Sequence, residues 1–201
     1  MKKSLKPDYK PQVGDIIFSR KHGFLSWSIR FIMGPFPYSH LCLVGEKLDG
    51  KTIVYTTGVN VGPTSPRGVF SSSVFRSEDM AAYLANKSYV ICRYQGEKGK
   101  HLTPPQKQAI LEFCHKQLGK KFPFRKSLKL FRQTIRGVGV NRVTDKKSRG
   151  LFDCYEAVVR AYRAAGITFN KRLGNIDPSG YDIKEIYLSP VLVDIFAKTR
   201  R

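Results

Sequence analysis

The chain has 201 residues, of which 41% are hydrophobic, enough for one buried core and too few for two large domains. It carries 36 Lys and Arg against 15 Asp and Glu, so its formal net charge is +21. Such an excess does not specify a fold, but it favours polyanionic surroundings such as anionic lipid, wall polymers, nucleic acid or acidic substrates.

The first half of the chain predicts mainly β-strands. The strand-like segments are VGDIIFSR (13–20), HLCLVGE (40–46), TIVYTTGV (52–59), FSSSVF (70–75) and YVICRYQ (89–95). LDGK (48–51) predicts a hairpin turn between the second and third of these strands. FLSWSIRFIM (24–33) has the apolar spacing of a helix, which the glycine and prolines after it end.

The second half predicts helices. Thr103 is a plausible N-cap, Pro104 and Pro105 fit a first turn, and Gly119 ends that helix. A second helix is expected from Asp153 to Gly166, before an apolar tail. This order predicts the α+β class and one domain over 1–201, with a basic and mobile segment over 120–150.

The termini and apolar runs bear on location. The N-terminus is basic but lacks the apolar run of a signal peptide, and no apolar stretch is long enough to span a bilayer. We therefore expect a mature form, a cytoplasmic protein or one exported by a non-classical route.

The four cysteines fall into two groups. Cys42 and Cys92 lie in strand-like apolar runs and Cys114 lies on the apolar side of a helix, so we expect these three to be buried free thiols. Cys154 lies instead in the first turn of a helix, behind the N-cap type Asp153 and before Glu156, which completes a capping-box pattern. The unpaired N–H groups and the helix dipole there favour a thiolate, and the same groups can bind an oxyanion.

A catalytic thiol needs a base, and His40 is the best placed of four histidines. It begins a strand, whereas His22 lies in a loop, His101 in a polar stretch, and His115 beside Cys114 on a helix, where the two side chains diverge. A strand-end histidine can face a helix N-terminus that packs across the sheet. Each residue alone is more often structural than catalytic.

Several blocks together resemble a known family. PYSHLCLVGE, LTPPQKQAILEFCHKQLGK and LFDCYEAVVRAYRAAGI resemble the circularly permuted branch of the NlpC-like cysteine hydrolases. This branch has a papain-like fold and includes YiiX-like proteins and, more distantly, lecithin–retinol acyltransferase relatives. The resemblance runs from about Val13 to the C-terminal LSPVLV. It implies a permuted papain-like fold, with Cys154 as nucleophile and His40 as base.

The sequence departs from this family at the third catalytic position. YiiX-like members carry a Glu there and acyltransferase relatives a second His, whereas this chain has Thr56, which lacks a charge to stabilise imidazolium. Either Thr56 orients His40 weakly, or another group such as Asn60 replaces it, or the enzyme is slow. Tyr155 stands where many relatives have serine. The residues that we expect near a substrate are Tyr38, Tyr155 and Asp153.

The segment over 120–150 holds eleven Lys and Arg against one acid. Within 121–136 an apolar stripe lies beside a basic one, as in helices that bind anionic membrane surfaces, although the apolar stripe can equally pack on the domain. A position flanking the active site would also suit an acidic or acyl-bearing substrate.

Three functions follow. The first is hydrolysis of an amide, with a cell-wall peptide as the substrate type, and the second is acyl hydrolysis or transfer on a lipid by the same pair. The third is non-catalytic binding of an anionic membrane or nucleic acid. Nucleic acid is an unlikely partner because no reading motif is present, and neither a metal nor another cofactor is expected since no cluster has ligand spacing. The sequence leaves the oligomeric state open.

Overall fold

The computed structural model describes residues 9–20, 37–59, 73–85, 87–96, 99–120, 154–169 and 186–196. The strands in these ranges are β1 (Ile16–Arg20), β2 (His40–Leu48), β3 (Lys51–Val59), β4 (Ser73–Asp79), β5 (Ser88–Tyr94) and β6 (Leu192–Phe196). The helices there are α1 (Met80–Leu84), α2 (Pro104–Gln117) and α3 (Cys154–Ala164). The strands form one antiparallel sheet in the order β4-β3-β2-β1-β5-β6, so the predicted α+β class is confirmed.

The hairpin between β2 and β3 is tight. Leu48 pairs with Lys51, and the two residues between them, Asp49 and Gly50, have φ angles of 49° and 75°. Two positive φ angles in a two-residue loop are the geometry of a type I′ turn, which matches the twist of the flanking strands. The turn predicted from LDGK is confirmed.

Both faces of the sheet are buried, which explains why its central strands are apolar almost without interruption. On one face, here called the α3 face, the core joins strands to α2 and α3 through Phe18, Leu41, Leu43, Ile110 and Tyr162. On the other, here called the α1 face, it joins strands to α1 through Ile17, Cys42, Val44, Tyr83 and Leu84. Alternate residues of β2 therefore point to opposite layers.

Helix α2 begins and ends as predicted. The Thr103 hydroxyl accepts from the Gln106 backbone N–H at 3.4 Å, and the Gln106 carboxamide oxygen accepts from the Thr103 N–H at 3.0 Å. Pro104 follows in the first turn, where no N–H is needed. Gly119, with a φ of 78°, follows the end of the helix.

Some elements differ from the predicted ones. Strand β4 extends beyond the segment predicted over 70–75, because it pairs with β3 as far as Asp79 opposite Ile53. Helix α1, five residues long, was not predicted, since so short a helix shows no period. The helix expected over 24–33 and the basic stripe over 121–136 lie outside the described residues. Within the described ranges, no helix has the length and apolar character needed to cross a membrane.

Candidate active site

Cys154 is the first residue of α3, and it is partly exposed. Cys42, Cys92 and Cys114 are buried free thiols, as predicted. Burial raises the pKa of Cys114 to about 12, and burial followed by the Asp194 carboxylate raises that of Cys92 further. Thiols held protonated in this way are poor nucleophiles, so Cys154 is the accessible one of the four.

Helix α3 holds Cys154 at the edge of the core. Its buried residues lie at helical spacing and pack on the α3 face: Ala157, Val158, Ala161 and Tyr162. The Tyr162 hydroxyl donates to the Gly14 carbonyl, which fixes the helix to the segment before β1. Glu156 is buried and accepts from Arg160, at 2.6 Å, one turn along the helix. Asp153, the expected N-cap, lies outside the described residues.

His40 is the first residue of β2, and only 7% of it is exposed. Its Nε2 lies 2.8 Å from Oγ1 of Thr56, on the neighbouring strand β3. The Thr56 hydroxyl also donates to the Thr57 carbonyl at 3.4 Å. The structure thus brings together His40 and Thr56, the residue that sequence reasoning placed as its orienting group. Asn60, the alternative, is outside the described residues.

His40 and the body of α3 lie on opposite faces of β2. The imidazole shares the α1 face with Cys42, and its ring centroid is 6.5 Å from that of Tyr83 on α1. Helix α3 contacts β2 from the other side. The helix that carries Cys154 thus packs on the sheet as expected, and the imidazole lies on the face opposite the helix body.

An electrostatic coupling links the start of α3 to the α1 face. The pKa of the Tyr83 phenol lies well above its usual value, first because of burial and then because of Cys42, with the charge of a Cys154 thiolate as a smaller contribution. Tyr83, whose phenol feels the charge of Cys154, is also the residue whose ring lies beside His40.

Two buried hydroxyl groups at this place were missed from the sequence. Ser19 Oγ lies 2.8 Å from Tyr83 Oη, and Ser19 is the register partner of His40 on β1. For Ser19, the available signal in the sequence was its position as a polar residue at the end of the apolar run IIFS. Nothing in the sequence connects Tyr83 to it, because the two residues meet only through the fold.

The expected substrate-contacting tyrosines lie on the α3 face. The Tyr38 ring centroid is 6.3 Å from that of Phe18 and 6.0 Å from that of Tyr187. Tyr155 is partly buried against the same core. Neither tyrosine belongs to the core cluster beside His40 on the α1 face, so a role of Tyr38 and Tyr155 in binding substrate stays a prediction.

The other described histidines lie elsewhere. His115 of α2 contacts the Tyr55 hydroxyl at 2.7 Å and Glu46 Oε1 at 2.9 Å, in a partly exposed cluster. The adjacent Cys114 is buried in the core, so the two side chains diverge as expected. His101 is exposed, and His22 is outside the described residues. Among the described histidines, His40 is therefore the one buried at the start of a strand.

Comparisons with known proteins give a fold but no family. No family model matches the chain, and no curated protein matches it. Among solved structures, it is similar to the crystal structure of the metalloprotein YiiX from Escherichia coli O157:H7, with a TM-score of 0.62 and 19% identity. The match covers 94% of this chain and 99% of that one. The chain therefore has a YiiX-like fold over nearly its whole length.

Proposed function

We propose that this protein is a thiol hydrolase that cleaves an amide bond, with a cell-wall peptide as the type of substrate. Cys154 is the nucleophile, His40 the general base and Thr56 the orienting residue. The observation that supports the proposal is that a buried, hydrogen-bonded His40 begins β2, while a partly exposed Cys154 begins the helix that packs on β2. The resemblance to permuted NlpC-like hydrolases supports the same roles.

In the proposed mechanism, Nδ1 of the imidazole acts as the base. Nε2 of neutral His40 carries the proton and donates it to Thr56 Oγ1, while the Thr56 hydroxyl donates to the Thr57 carbonyl. Nδ1 then carries the lone pair and can accept the thiol proton of Cys154. This is the tautomer that a Cys–His pair requires.

The reaction then proceeds in two stages. The Cys154 thiolate attacks the amide carbon, a C–S bond forms, the C–N bond breaks, and the amine leaves with the proton from imidazolium. In the second stage, Nδ1 accepts a proton from water, which attacks the thioester and releases the acid and the thiol. The N–H groups at the start of α3, at the positive end of the helix dipole, can stabilise the oxyanion in both stages.

Thr56 limits the rate of this chemistry. A hydroxyl orients the imidazole but stabilises imidazolium less than a carboxylate does, because it carries no charge. We therefore expect a working but slow enzyme, in keeping with the departure at the third catalytic position.

A metal has no evident place at this site. YiiX is described as a metalloprotein, but within the described residues no group of three or more His, Cys, Asp or Glu is arranged to hold a metal ion. The neighbours identified around His40 include the hydroxyl groups of Ser19, Thr56 and Tyr83, which are not a usual ligand set for a transition metal. No step of the proposed reaction is routed through a metal.

The basic segment over 121–136 favours a second candidate, in which the same pair hydrolyses or transfers an acyl group from an anionic lipid. The more distant resemblance of the sequence to lecithin–retinol acyltransferase relatives supports this candidate. The chemistry at Cys154 is unchanged, since a thioester forms in either case. Only the bond broken and the acceptor differ.

The test is labelling of Cys154 by a thiol-directed acylating probe, followed by mass spectrometry. We expect the wild type to react at pH 7 much faster than an ordinary thiol, and His40→Ala to lose most of that rate. His115→Ala is the matched control, because it removes a histidine outside the site and should react as the wild type does. Labelling of Cys154 at the rate of a free thiol would refute the proposal.

Substrate type is separated by a second assay. Wild-type protein is incubated either with short peptides of wall type or with vesicles of anionic phospholipid, and Cys154→Ser serves as the inactive control. Release of a peptide fragment supports the amide hydrolase, and release of fatty acid supports the lipid enzyme. Vesicle binding without either product, unchanged in Cys154→Ser, would support the binding protein.

A further inference from the structure

Tyr83 lies in the buried layer that holds His40, although it is remote from that residue in sequence. Helix α1 places Met80, Tyr83 and Leu84 on one buried side, and Asp79 caps its start by accepting from the Ala81 N–H at 2.7 Å. Only 2% of Tyr83 is exposed. A buried phenol needs a hydrogen-bond partner, so the contacts of its hydroxyl are specific features of this layer.

Strand register fixes where that hydroxyl lies. Its partner at 2.8 Å is Ser19 Oγ on β1, and Ser19 stands opposite His40 on β2. Cys42, two residues further along β2, belongs to the same core cluster as Tyr83 and helps to raise the pKa of the phenol. The hydroxyl therefore sits over the two strands at the level where β2 begins.

The ring of Tyr83 is held as firmly as its hydroxyl. It lies 6.5 Å from the His40 ring at an interplanar angle of 33°, and the Lys87 ammonium is 3.3 Å from its centroid. A cation over an aromatic face is attracted by the ring quadrupole. The phenol is thus fixed by contacts at its oxygen and over its face, beside the imidazole.

We propose that Tyr83 is a positioning residue for the Cys154–His40 pair: Ser19 holds its hydroxyl, and its ring lies beside the imidazole and limits the rotation of that ring. The inference rests on the proposed function. It also gives a physical reason why a site with a neutral Thr56 can work, since part of the orientation and polarity is provided from α1.

The protonation of Tyr83 agrees with this role. Burial and the neighbouring thiol groups raise the pKa of the phenol well above its ordinary value, so it keeps its proton where Cys154 ionises. A neutral phenol keeps its hydroxyl contact with Ser19, whereas a phenolate would repel a Cys154 thiolate.

The experiment measures alkylation of Cys154 by iodoacetamide from pH 5 to 10, whose midpoint reports the thiol pKa. Tyr83→Phe keeps the ring and removes the hydroxyl, so we expect the midpoint to rise by about half to one unit and the rate at pH 7 to fall about 3- to 10-fold. Ser19→Ala leaves the phenol without its anchor and should shift the midpoint in the same direction, by less. It also provides a second reading if Tyr83→Phe folds poorly.

Tyr89→Phe is the matched control. Tyr89 belongs to the same core cluster, and burial alone raises its pKa, without a thiol contribution. We expect its midpoint to equal that of the wild type. Wild-type values in both Tyr83→Phe and Ser19→Ala, with His40→Ala still impaired, would overturn the role of Tyr83 and leave the proposed function intact. An ordinary thiol midpoint in the wild type would overturn both.

Discussion

A neutral hydrogen bond joins the candidate base to the neighbouring strand. Oγ1 of Thr56 is 2.8 Å from His40 Nε2, and only 2% of Thr56 is exposed. Buried in this way, the bond fixes the tautomer and orientation of the imidazole without adding charge.

Replacing Thr56 by valine tests that bond. Valine has a similar shape but no hydroxyl, so the Nε2–H loses its acceptor and we expect Cys154 acylation at pH 7 to fall about 2- to 10-fold. The buried donor left behind should lower the free energy of unfolding by about 1 to 3 kcal/mol. Thr56→Ser, which keeps the hydroxyl, should retain most of the rate. Equal acylation rates in Thr56→Val and wild type would exclude Thr56 as the orienting group.

Cys114 makes stability depend on pH in the alkaline range. Its pKa is raised from an ordinary 9.0 to about 12 because the folded chain buries it. Between these values the unfolded state loses a proton that the folded state keeps, so stability is present below pH 9 and is lost as pH rises toward 12. Each such group weakens folding by about 1.4 kcal/mol per pH unit in this window.

The measurement is urea unfolding of wild type and Cys114→Ala at pH 8, 9.5 and 11. The variant is less stable at pH 8, since it leaves a cavity, but its stability should fall less steeply with pH. The two other buried thiols and the tyrosines contribute to both proteins and cancel in the difference, apart from Tyr55, whose pKa the Cys114 charge raises. Parallel pH dependences would show that Cys114 ionises normally in the folded chain.

Residue-level prediction succeeded where the informative neighbours are close in sequence. Cys154 at a helix start and buried Cys42, Cys92 and Cys114 follow from local hydrophobic pattern, and the contact of His40 with Thr56 follows from the pairing of adjacent strands. The Ser19–Tyr83 contact joins β1 to α1, and no local pattern encodes it. The face of β2 on which His40 lies depends on strand parity and on how the helices pack, and no local pattern encodes it.

The β2–β3 hairpin depends on its turn residues. Gly50 has a φ of 75°, and an added Cβ would meet nothing within 4 Å. The cost of Gly50→Ala is therefore conformational, about 1 to 2 kcal/mol of unfolding free energy, because L-residues avoid positive φ. Urea unfolding measures it. Lys51→Ala, at an exposed neighbouring position, should change stability by less than about 0.5 kcal/mol.

Gly14 also has a positive φ, but unlike Gly50 it has no space for an added Cβ. At Gly14 an added Cβ would lie 2.4 Å from Leu102 Cδ1, so Gly14→Ala adds a steric term to the conformational one and should cost more than Gly50→Ala. If Gly50→Ala were neutral, the positive φ at the turn would be in doubt.

Elements with a strong local signal were predicted well. The Asp-Gly turn and the Thr103 cap with its following prolines each depend on a few adjacent residues. The extent of β4 and the presence of α1 were not predicted. Strand β4 lies at the edge of the sheet, and its polar residues Arg76, Ser77 and Glu78 hide its strand pattern. Helix α1 forms because it packs on the α1 face. Tertiary contacts define these two elements more than propensity does.

At the scale of the whole molecule, nearly half of the net charge of +21 lies in one segment of the sequence. The segment over 120–150 contributes +10 of it, from eleven basic residues and Asp145. Electrostatic attraction of this size is long-ranged at low salt and screened within about 8 Å at physiological ionic strength. Each basic residue close to an anionic bilayer contributes about 1 kcal/mol. The charge therefore predicts binding to anionic surfaces separately from any reaction at Cys154.

Sedimentation with vesicles tests this prediction. We expect wild-type protein to bind vesicles that contain anionic lipid and to dissociate from them as the NaCl concentration rises above the physiological one. It should not bind vesicles of neutral lipid. Arg125, Lys129, Arg132 and Arg136 are the basic residues of the stripe predicted from the sequence of 121–136, and replacing these four by glutamine should abolish most of the binding. Cys154→Ala should bind as the wild type does, because the stripe and not the thiol meets the lipid. Salt-insensitive binding, or binding that survives the four substitutions, would assign membrane contact to another surface.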